Sequence, residues 1–500
     1  MSITFKRKKI SEGIDDVAIM LGLNPSKSVF IHSTNIPLDD KFERFVGHLS
    51  PFDHSQSLLY LSRNKSGQGS KSVILFADEN LLNYFDRVGL APKKNYYNLN
   101  ATPDEFNPAA LSVQTRLLKA LEEPENEIFS FLKGKTIISS FLTETDKKLA
   151  SIAKGSLLME PEKQIPFNSK IKLREFAKKY QFNVAPGIEI SEAATFDEKI
   201  NELKAILISN AIDPSKAKLW CKLEAQSSGS GTVYLNGLTE SEISRLKNSL
   251  VAYAEARNLY SSNVLSKTIY NMTYFTSLVI ELDLASKDNT RILSNIGVEA
   301  VIADDAVYLV GSVRQITNLG QYSGDFGRYL GSRIDGESIQ YSRYAEEAAI
   351  PAFEYFQAEG YRGFVTLDVL VVHEEDEIKG YCIDPNARFS GGTMLLSTIH
   401  HAEKMSDRQF YGLTYFVEVP NNNNIFGTIE TLAGNDLYTG ASSNYCGIIP
   451  FIINNLVKHK TSCTAQIAAI SDNPEALEAM WKNFNDRRKA SVAEDLDLAA

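Results

Sequence analysis

The stretch Gly363–Thr393 reads GFVTLDVLVVHEEDEIKGYCIDPNARFSGGT, and its pattern is that of a β-hairpin. Val365, Leu367, Val369 and Val371 alternate along an apolar strand, the charged run HEEDEIKG turns, and Tyr381, Cys382 and Ile383 lead back. Asp368 interrupts the apolar strand, and a buried carboxylate without a partner costs several kcal/mol. A turn at 374–378 centres the hairpin on residue 376, which puts Asp384 opposite Asp368. Asp384 and Asn386 are two apart on a strand and share a face. Two carboxylates and an amide oxygen on one surface are hard oxygen ligands that suit Mg²⁺. Arg388 follows at the same spacing and offers a fork of donors to a phosphoryl or carboxylate group. Taken alone, Asp384-Pro385-Asn386 is equally a turn that ends a strand; Asp368 in register is what favours a site.

Two stretches upstream carry related signals. In LWCKLEAQSSGSGTVYL, from Leu219, Lys222 interrupts an apolar strand and a Ser/Gly run follows it. Small residues let backbone N–H groups approach phosphates, although a solvated linker has the same composition. In SLVIELDLASKDNT, from Ser277, Glu281 and Asp283 end an apolar strand and Asp288 lies beyond. Acids there can receive ribose hydroxyls or an adenine amino group, or simply lead into a solvated loop. No GxxxxGK[ST] loop occurs in either, and SGQGSKS at Ser66–Ser72 reads as a surface turn.

The rest of the chain supplies the frame. Residues 1–165 alternate strands (27–32, 71–77, 134–140) with helical stretches, which argues for a parallel, Rossmann-like sheet. A helix is expected over 170–180, an α+β unit over 195–285, and mostly strands from 290 on, with a helix at 344–357 and a closing strand and helix after 465.

The 500 residues carry 52 Lys+Arg against 62 Asp+Glu, a net charge of −10, which disfavours nucleic acid as the main partner. Four cysteines (Cys221, Cys382, Cys446, Cys463) form neither a metal knuckle nor a disulfide framework. No secretory signal and no apolar run of membrane-spanning length is visible, so a cytoplasmic protein is expected. The seven histidines show no ligand spacing, and His400-His401 is the pair worth locating beside an acceptor pocket.

These three stretches in this order resemble the ATP-grasp superfamily, with Asp384-Pro385-Asn386-Ala387-Arg388 standing for its final Glu-x-Asn-x-Arg strand. The run through Phe389-Ser390-Gly391-Gly392 is most similar to carboxylate–amine and peptide ligases of the pheganomycin-ligase kind. The resemblance implies an α/β and α+β fold: a pre-ATP-grasp Rossmann-like domain at 1–165, an N-terminal lobe with its lid at 166–285, a C-terminal lobe with the metal site at 286–460, and a strand, helix and tail at 461–500. It implies ATP and Mg²⁺, with Mn²⁺ as a substitute. Lys170 would reach the nucleotide phosphates and Lys222 the α-phosphate or adenine. Ser228, Gly229, Ser230 and Gly231 would form the lid loop. Glu281 with Leu282 and Asp283 would bind adenine, and Asp288 the ribose. Asp368, Asp384 and Asn386 would hold the metal, and Arg388 would stabilise the phosphoryl group. Asp384 is one methylene shorter than the usual glutamate, and Thr366 stands where several ligases have arginine. That arginine's role then passes to Arg388, Arg314 or Arg362, with Gln315 beside Arg314 near the substrate carboxylate.

The implied reaction is ATP-dependent joining of a small carboxylic acid to an amine or amino acid through an acyl phosphate. Phosphorylation of a small molecule, or a degenerate nucleotide-binding scaffold, are the alternatives. A homodimer is the base-rate expectation for the assembly.

Overall fold

A computed structural model describes residues 3–32, 54–64, 67–100, 113–121, 127–140, 142–191, 195–223, 232–256, 278–317, 329–420, 424–440, 445–453 and 462–499. Strand β1 (Phe5–Arg7) runs away from its neighbours in sequence and pairs in parallel with Val307–Leu309, far along the chain. The N-terminal sheet proper contains β2 (Ser28–Ile31), β3 (Lys71–Ile74), β4 (Tyr96–Asn98), β5 (Thr136–Ser139) and β6 (Ser156–Leu157). They are all parallel, in the order β4-β3-β2-β5-β6. Val29, Phe30 and Ile31 are all buried, as a strand covered on both faces requires. The helix Glu79–Val88 has clear stop signals: Asp78 accepts from the N–H groups of Asn80 and Leu81, and Gly89 ends it at φ 75°. The stretch 154–170 holds β6 and two short helical turns.

A small antiparallel sheet comes next, formed by β7 (Gly187–Ile190), β8 (Lys218–Leu223), β9 (Thr232–Asn236) and β10 (Leu278–Leu282) in the order β7-β10-β8-β9. Its own core of Ile188, Ile200, Leu203, Leu219 and Ile280 joins it to the helix Phe196–Ser209.

Among the described residues the large sheet has nine strands. Eight of them are β11 (Thr290–Ile302), β12 (Val307–Thr317), β13 (Tyr329–Ile334), β14 (Gly363–Glu374), β15 (Glu377–Asn386), β16 (Tyr411–Pro420), β17 (Gly447–Ile453) and β18 (Ser462–Ser471). Their order is β15-β14-β11-β12-β13-β16-β18-β17, with β1 beside β12. The helix Gly336–Ala358 covers one face, packing Ala345, Ala349 and Phe353 with Val298, Val365 and Val369. The helix Gly391–Ser406 lies on the other. A Cβ on Gly311 would stand 2.9 Å from a Leu396 methyl and one on Gly412 2.8 Å from a Leu395 methyl, so both glycines allow that helix its close approach.

The N-terminal domain docks on the far end of this sheet. Tyr60 and Phe85 pack with Phe451, and the Tyr60 hydroxyl donates to the Pro450 carbonyl at 2.7 Å. Tyr84 donates to the Tyr438 carbonyl at 2.8 Å. Buried Arg63 donates to the Ser397 carbonyl and hydroxyl at 2.7 and 2.8 Å, which ties the domain to the helix Gly391–Ser406.

The β14–β15 hairpin pairs Asp368 with Asp384, as expected, but by a different route. The turn is only Glu375-Asp376, both at positive φ (51° and 69°), flanked by the pair Glu374 and Glu377. That register alone would set Ile383 opposite Asp368. A bulge between Cys382 and Asp384 inserts Ile383 and resets the pairing. Cys382 therefore sits in the core beside Val369, while Asp384 turns to the face of Asp368.

Candidate active site

The small sheet, the large sheet and the N-terminal domain enclose a cavity of about 690 Å³. Its walls include His32 and Ser57 from the N-terminal domain, Lys222 and Glu281–Ala285 from the small sheet, and Asp368, Asp384, Asn386 and Arg388 from the hairpin.

At one end stands a clamp on Glu281, which is 5% exposed. Lys222 Nζ meets its Oε2 at 2.6 Å, and Arg174 Nη1 meets Oε1 at 3.3 Å. Antiparallel pairing of β8 with β10 brings Lys222 beside Glu281. Arg174 also donates to the Ala185 carbonyl at 2.8 Å and pairs with Glu189 at 2.9 Å. Arg174 was not among the expected site residues. Its signal was there: it lies four residues after Lys170, on the same face of the helix Lys170–Tyr180. The backbone of Leu282 lies between two carboxylates, since Asp283 accepts from the Tyr234 hydroxyl at 2.7 Å and caps the turn after it.

In the middle, Lys170 Nζ pairs with Asp384 Oδ1 at 2.9 Å. Asp368 is 8% exposed and accepts from Asn386 Nδ2 at 3.3 Å and from the Gln315 amide. Burial pushes the Asp368 carboxyl well above its ordinary range, and the neighbouring Asp384 pushes the same way, with Arg388 opposing. Two adjoining carboxylates in this position want more positive charge than Lys170 brings, and that is the chemistry of a divalent-cation site. Asp368, Asp384 and Asn386 fit such an ion as ligands. Among the described residues no group of three His, Cys, Asp or Glu side chains is placed to hold a metal ion, so a third protein donor there would be the Asn386 amide oxygen.

Arg388 lines the cavity, and Asn168 Oδ1 receives its Nη1 at 3.3 Å and the Ala387 N–H at 2.8 Å. Asn168 has no sequence signal; only the fold brings it there. Glu299 is wholly buried on the same face and accepts from the Ser390 hydroxyl at 2.8 Å. Burial pushes its carboxyl up to about 8.

Other expected residues are placed differently. Arg314 lines the cavity, but its guanidinium pairs with Asp335 at 2.7 Å and Glu337 at 3.1 Å. Arg362 donates to the Leu21 carbonyl at 2.9 Å and pairs with Asp304, away from the cavity walls. Asp288 is exposed in a turn and is not among the residues lining the cavity. His400 accepts from the Ile10 N–H at 3.2 Å on the helix Gly391–Ser406, and neither it nor His401 lines this cavity. Ser228, Gly229, Ser230 and Gly231 lie outside the described residues.

No family model and no curated protein matches the chain. Solved structures do. Carboxyaminoimidazole ribonucleotide synthase from Aspergillus clavatus, complexed with ATP, matches over 93% of this chain and 98% of its own, at 11% identity and a TM-score of 0.51. Biotin carboxylase from Campylobacter jejuni, in a β-γ-ATP complex, matches over 92% of this chain and 91% of its own, at 11% identity and a TM-score of 0.50. At such identity the likeness is one of fold, and it spans nearly the whole chain. The fold of this chain is accordingly the ATP-grasp fold, with an N-terminal α/β domain ahead of it.

Proposed function

We propose that this chain is an ATP-dependent ligase that joins a carboxylic acid to an amine through an acyl phosphate, with Mg²⁺ as its metal. The observation that carries the reading is one cavity in which Asp368, Asp384, Asn386, Lys170 and Arg388 stand beyond the Lys222–Glu281 clamp. The two solved structures of the same fold contain ATP or an ATP complex, which supports a nucleotide in this cavity.

In this reading adenine lies against the strand end Glu281–Asp283, and Lys222, held by Glu281, reaches the phosphates. The ribose falls to Asp283, which lines the cavity, rather than to Asp288. Asp368, Asp384 and Asn386 hold Mg²⁺; when bound, the ion neutralises charge on the phosphate oxygens.

A substrate carboxylate oxygen then attacks the γ-phosphorus; the bond to the β–γ bridging oxygen breaks, and ADP leaves. Arg388, oriented by Asn168, offers its donors to the transferring group, and Arg314 stands nearby. The amine nitrogen attacks the acyl carbon, the C–O bond to phosphate breaks, and the amine gives up a proton. Enclosure by the N-terminal domain keeps water from the acyl phosphate. Formation of a peptide bond with an amino acid as the amine is the finer form of this proposal.

The test is ADP release with Mg-ATP against pooled carboxylic acids and amines, with Asp384→Ala alongside. Release that needs both an acid and an amine, is lost in the variant and yields a product one water lighter than the two substrates supports the ligase. A product that is only phosphorylated replaces it with a kinase. ADP release from no pool, with no nucleotide-dependent shift in melting temperature, overturns the reading.

A further inference from the structure

The cavity continues past Asp368, away from the Lys222–Glu281 clamp, along one face of the large sheet. Gln315, which donates to Asp368, pairs across strands with Ser332, and Ser332 pairs with Thr414. Two residues on, Phe416 pairs with Gln466 of β18. Directly paired residues and residues two apart share a face, so this row leads from the carboxylate pair to Gln466. Strands β12 and β18 are three neighbours apart, about 14 Å at the usual strand spacing.

Gln466 is wholly buried and lines the cavity. Neither its Nε2 nor its Oε1 has a hydrogen-bond partner. Buried polar side chains are nearly always satisfied, and one left open at both ends calls for an explanation. The contrast with Gln56 is direct: that buried amide donates to the Ile453 carbonyl and accepts from the Ile453 N–H, both at 3.1 Å. Beside this row the Tyr329 ring stands 5.9 Å from Phe416, its hydroxyl is shared with Ser332 at 2.7 Å, and the buried Glu299 carboxyl bears on it.

We infer that Gln466 is the recognition element of a second-substrate subsite that takes a neutral amide, either a carboxamide or a peptide bond. An amide satisfies both ends at once, its oxygen accepting from Nε2 and its N–H donating to Oε1. A carboxylate would accept from Nε2 but leave Oε1 open, and an ammonium would do the reverse. The amide group lies well away from the reacting centre, so it marks a part of the substrate that is bound rather than transformed. Only the assignment of this end to the second substrate rests on the ligase reading.

The experiment measures binding by calorimetry to the full chain, with and without Mg-AMPPNP. The probes are L-glutamine and L-asparagine, each against its carboxylate counterpart, L-glutamate and L-aspartate, and N-methylacetamide, the peptide group alone, against acetate. At least one amide should bind tenfold or more tighter than its counterpart. Gln466→Leu should abolish that preference yet keep the nucleotide-dependent shift in melting temperature. Gln466→Met, of similar volume, repeats the comparison if the leucine variant does not fold. No amide preference in the natural chain, or a preference that survives in the folded variants, overturns the inference. An amide preference without any nucleotide shift would sink the ATP reading alone.

Discussion

Asp368 and Glu299 are buried carboxyls on one face of the large sheet, and the molecule treats them differently. Asp368 adjoins Asp384 and has Arg388 in opposition, whereas Glu299 meets the Ser390 and Thr393 hydroxyls, with the Asp368 charge adding to the effect of burial. Glu299 is pushed from its ordinary 4.5 up to about 8 by burial. A raised carboxyl pKa binds its proton more tightly folded than unfolded, so the folded state loses stability as pH rises from about 4.5 and the loss levels off above about 8. Glu299→Gln should therefore flatten this part of the pH dependence, with its melting temperature moving up relative to the natural chain between pH 5 and pH 9. A parallel shift at all pH values would mean that Glu299 does not titrate in that range. Asp368→Asn separates stability from function. Removing one of two adjoining carboxylates should raise the melting temperature of the metal-free protein at pH 8–9, while ADP release falls on the order of 10²–10³-fold. Release that survives in Asp368→Asn would remove this residue from the reaction.

At the scale of elements, the clamp on Glu281 and the bulged hairpin do the positioning. Glu281 answers two cations at the small sheet, so Glu281→Ala leaves buried Arg174 and half-buried Lys222 without it. Breaking a buried pair from one side costs roughly 3–5 kcal/mol, and a denaturant melt should show a loss of that order together with weaker nucleotide binding. The hairpin turn offers an opposite case. Glu375 and Asp376 both sit at positive φ, where Asn-Gly is the favoured pair. Glu375→Asn with Asp376→Gly should stabilise the chain by roughly 1 kcal/mol and leave ADP release unchanged, since the turn is remote from the cavity walls. The same hairpin shows what a sequence can and cannot reveal. The pairing of Asp368 with Asp384 was legible because an acid inside an apolar strand demands a partner. The insertion of Ile383 was not, because a bulge changes phase without changing composition. Lys222 and Glu281 were legible as charges within or at the end of apolar strands, whereas Lys170 came only from the resemblance. Asn168 and Gln466 were not, since each is an ordinary polar residue until distant strands bring it to the cavity. Strand β4 escaped notice because Tyr96–Asn98 is three residues long and follows a helical turn rich in lysine.

For the whole molecule, the cavity exists only while three parts hold together, and two of them share a core. The apolar cluster around Tyr60, Tyr84 and Phe85 runs without a break into Phe426, Ile449 and Phe451 of the large-sheet end. Strand β1 adds a backbone link by pairing with Val307–Leu309, and Arg63 reaches the helix Gly391–Ser406 from within the N-terminal domain. The small sheet instead has a core of its own, made of residues between Ile188 and Leu282. Parts with a common core unfold together, and a part with its own core can open alone. Calorimetry should then show one transition for the N-terminal domain and the large sheet. Arg63→Leu, which leaves the Ser397 and Thr398 acceptors unanswered, should lower that transition by roughly 2–4 kcal/mol. Both parts should move with it, read by hydrogen exchange at β3 and β18. The backbone amides of β8 and β9 should exchange earlier than either, and slow when Mg-ATP is added, because a nucleotide against Lys222 and Leu282 would join the small sheet to the rest. Exchange at β3 that responds to Arg63→Leu while β18 does not would show that the two parts fold independently, and the cavity between them would then open without the loss of either.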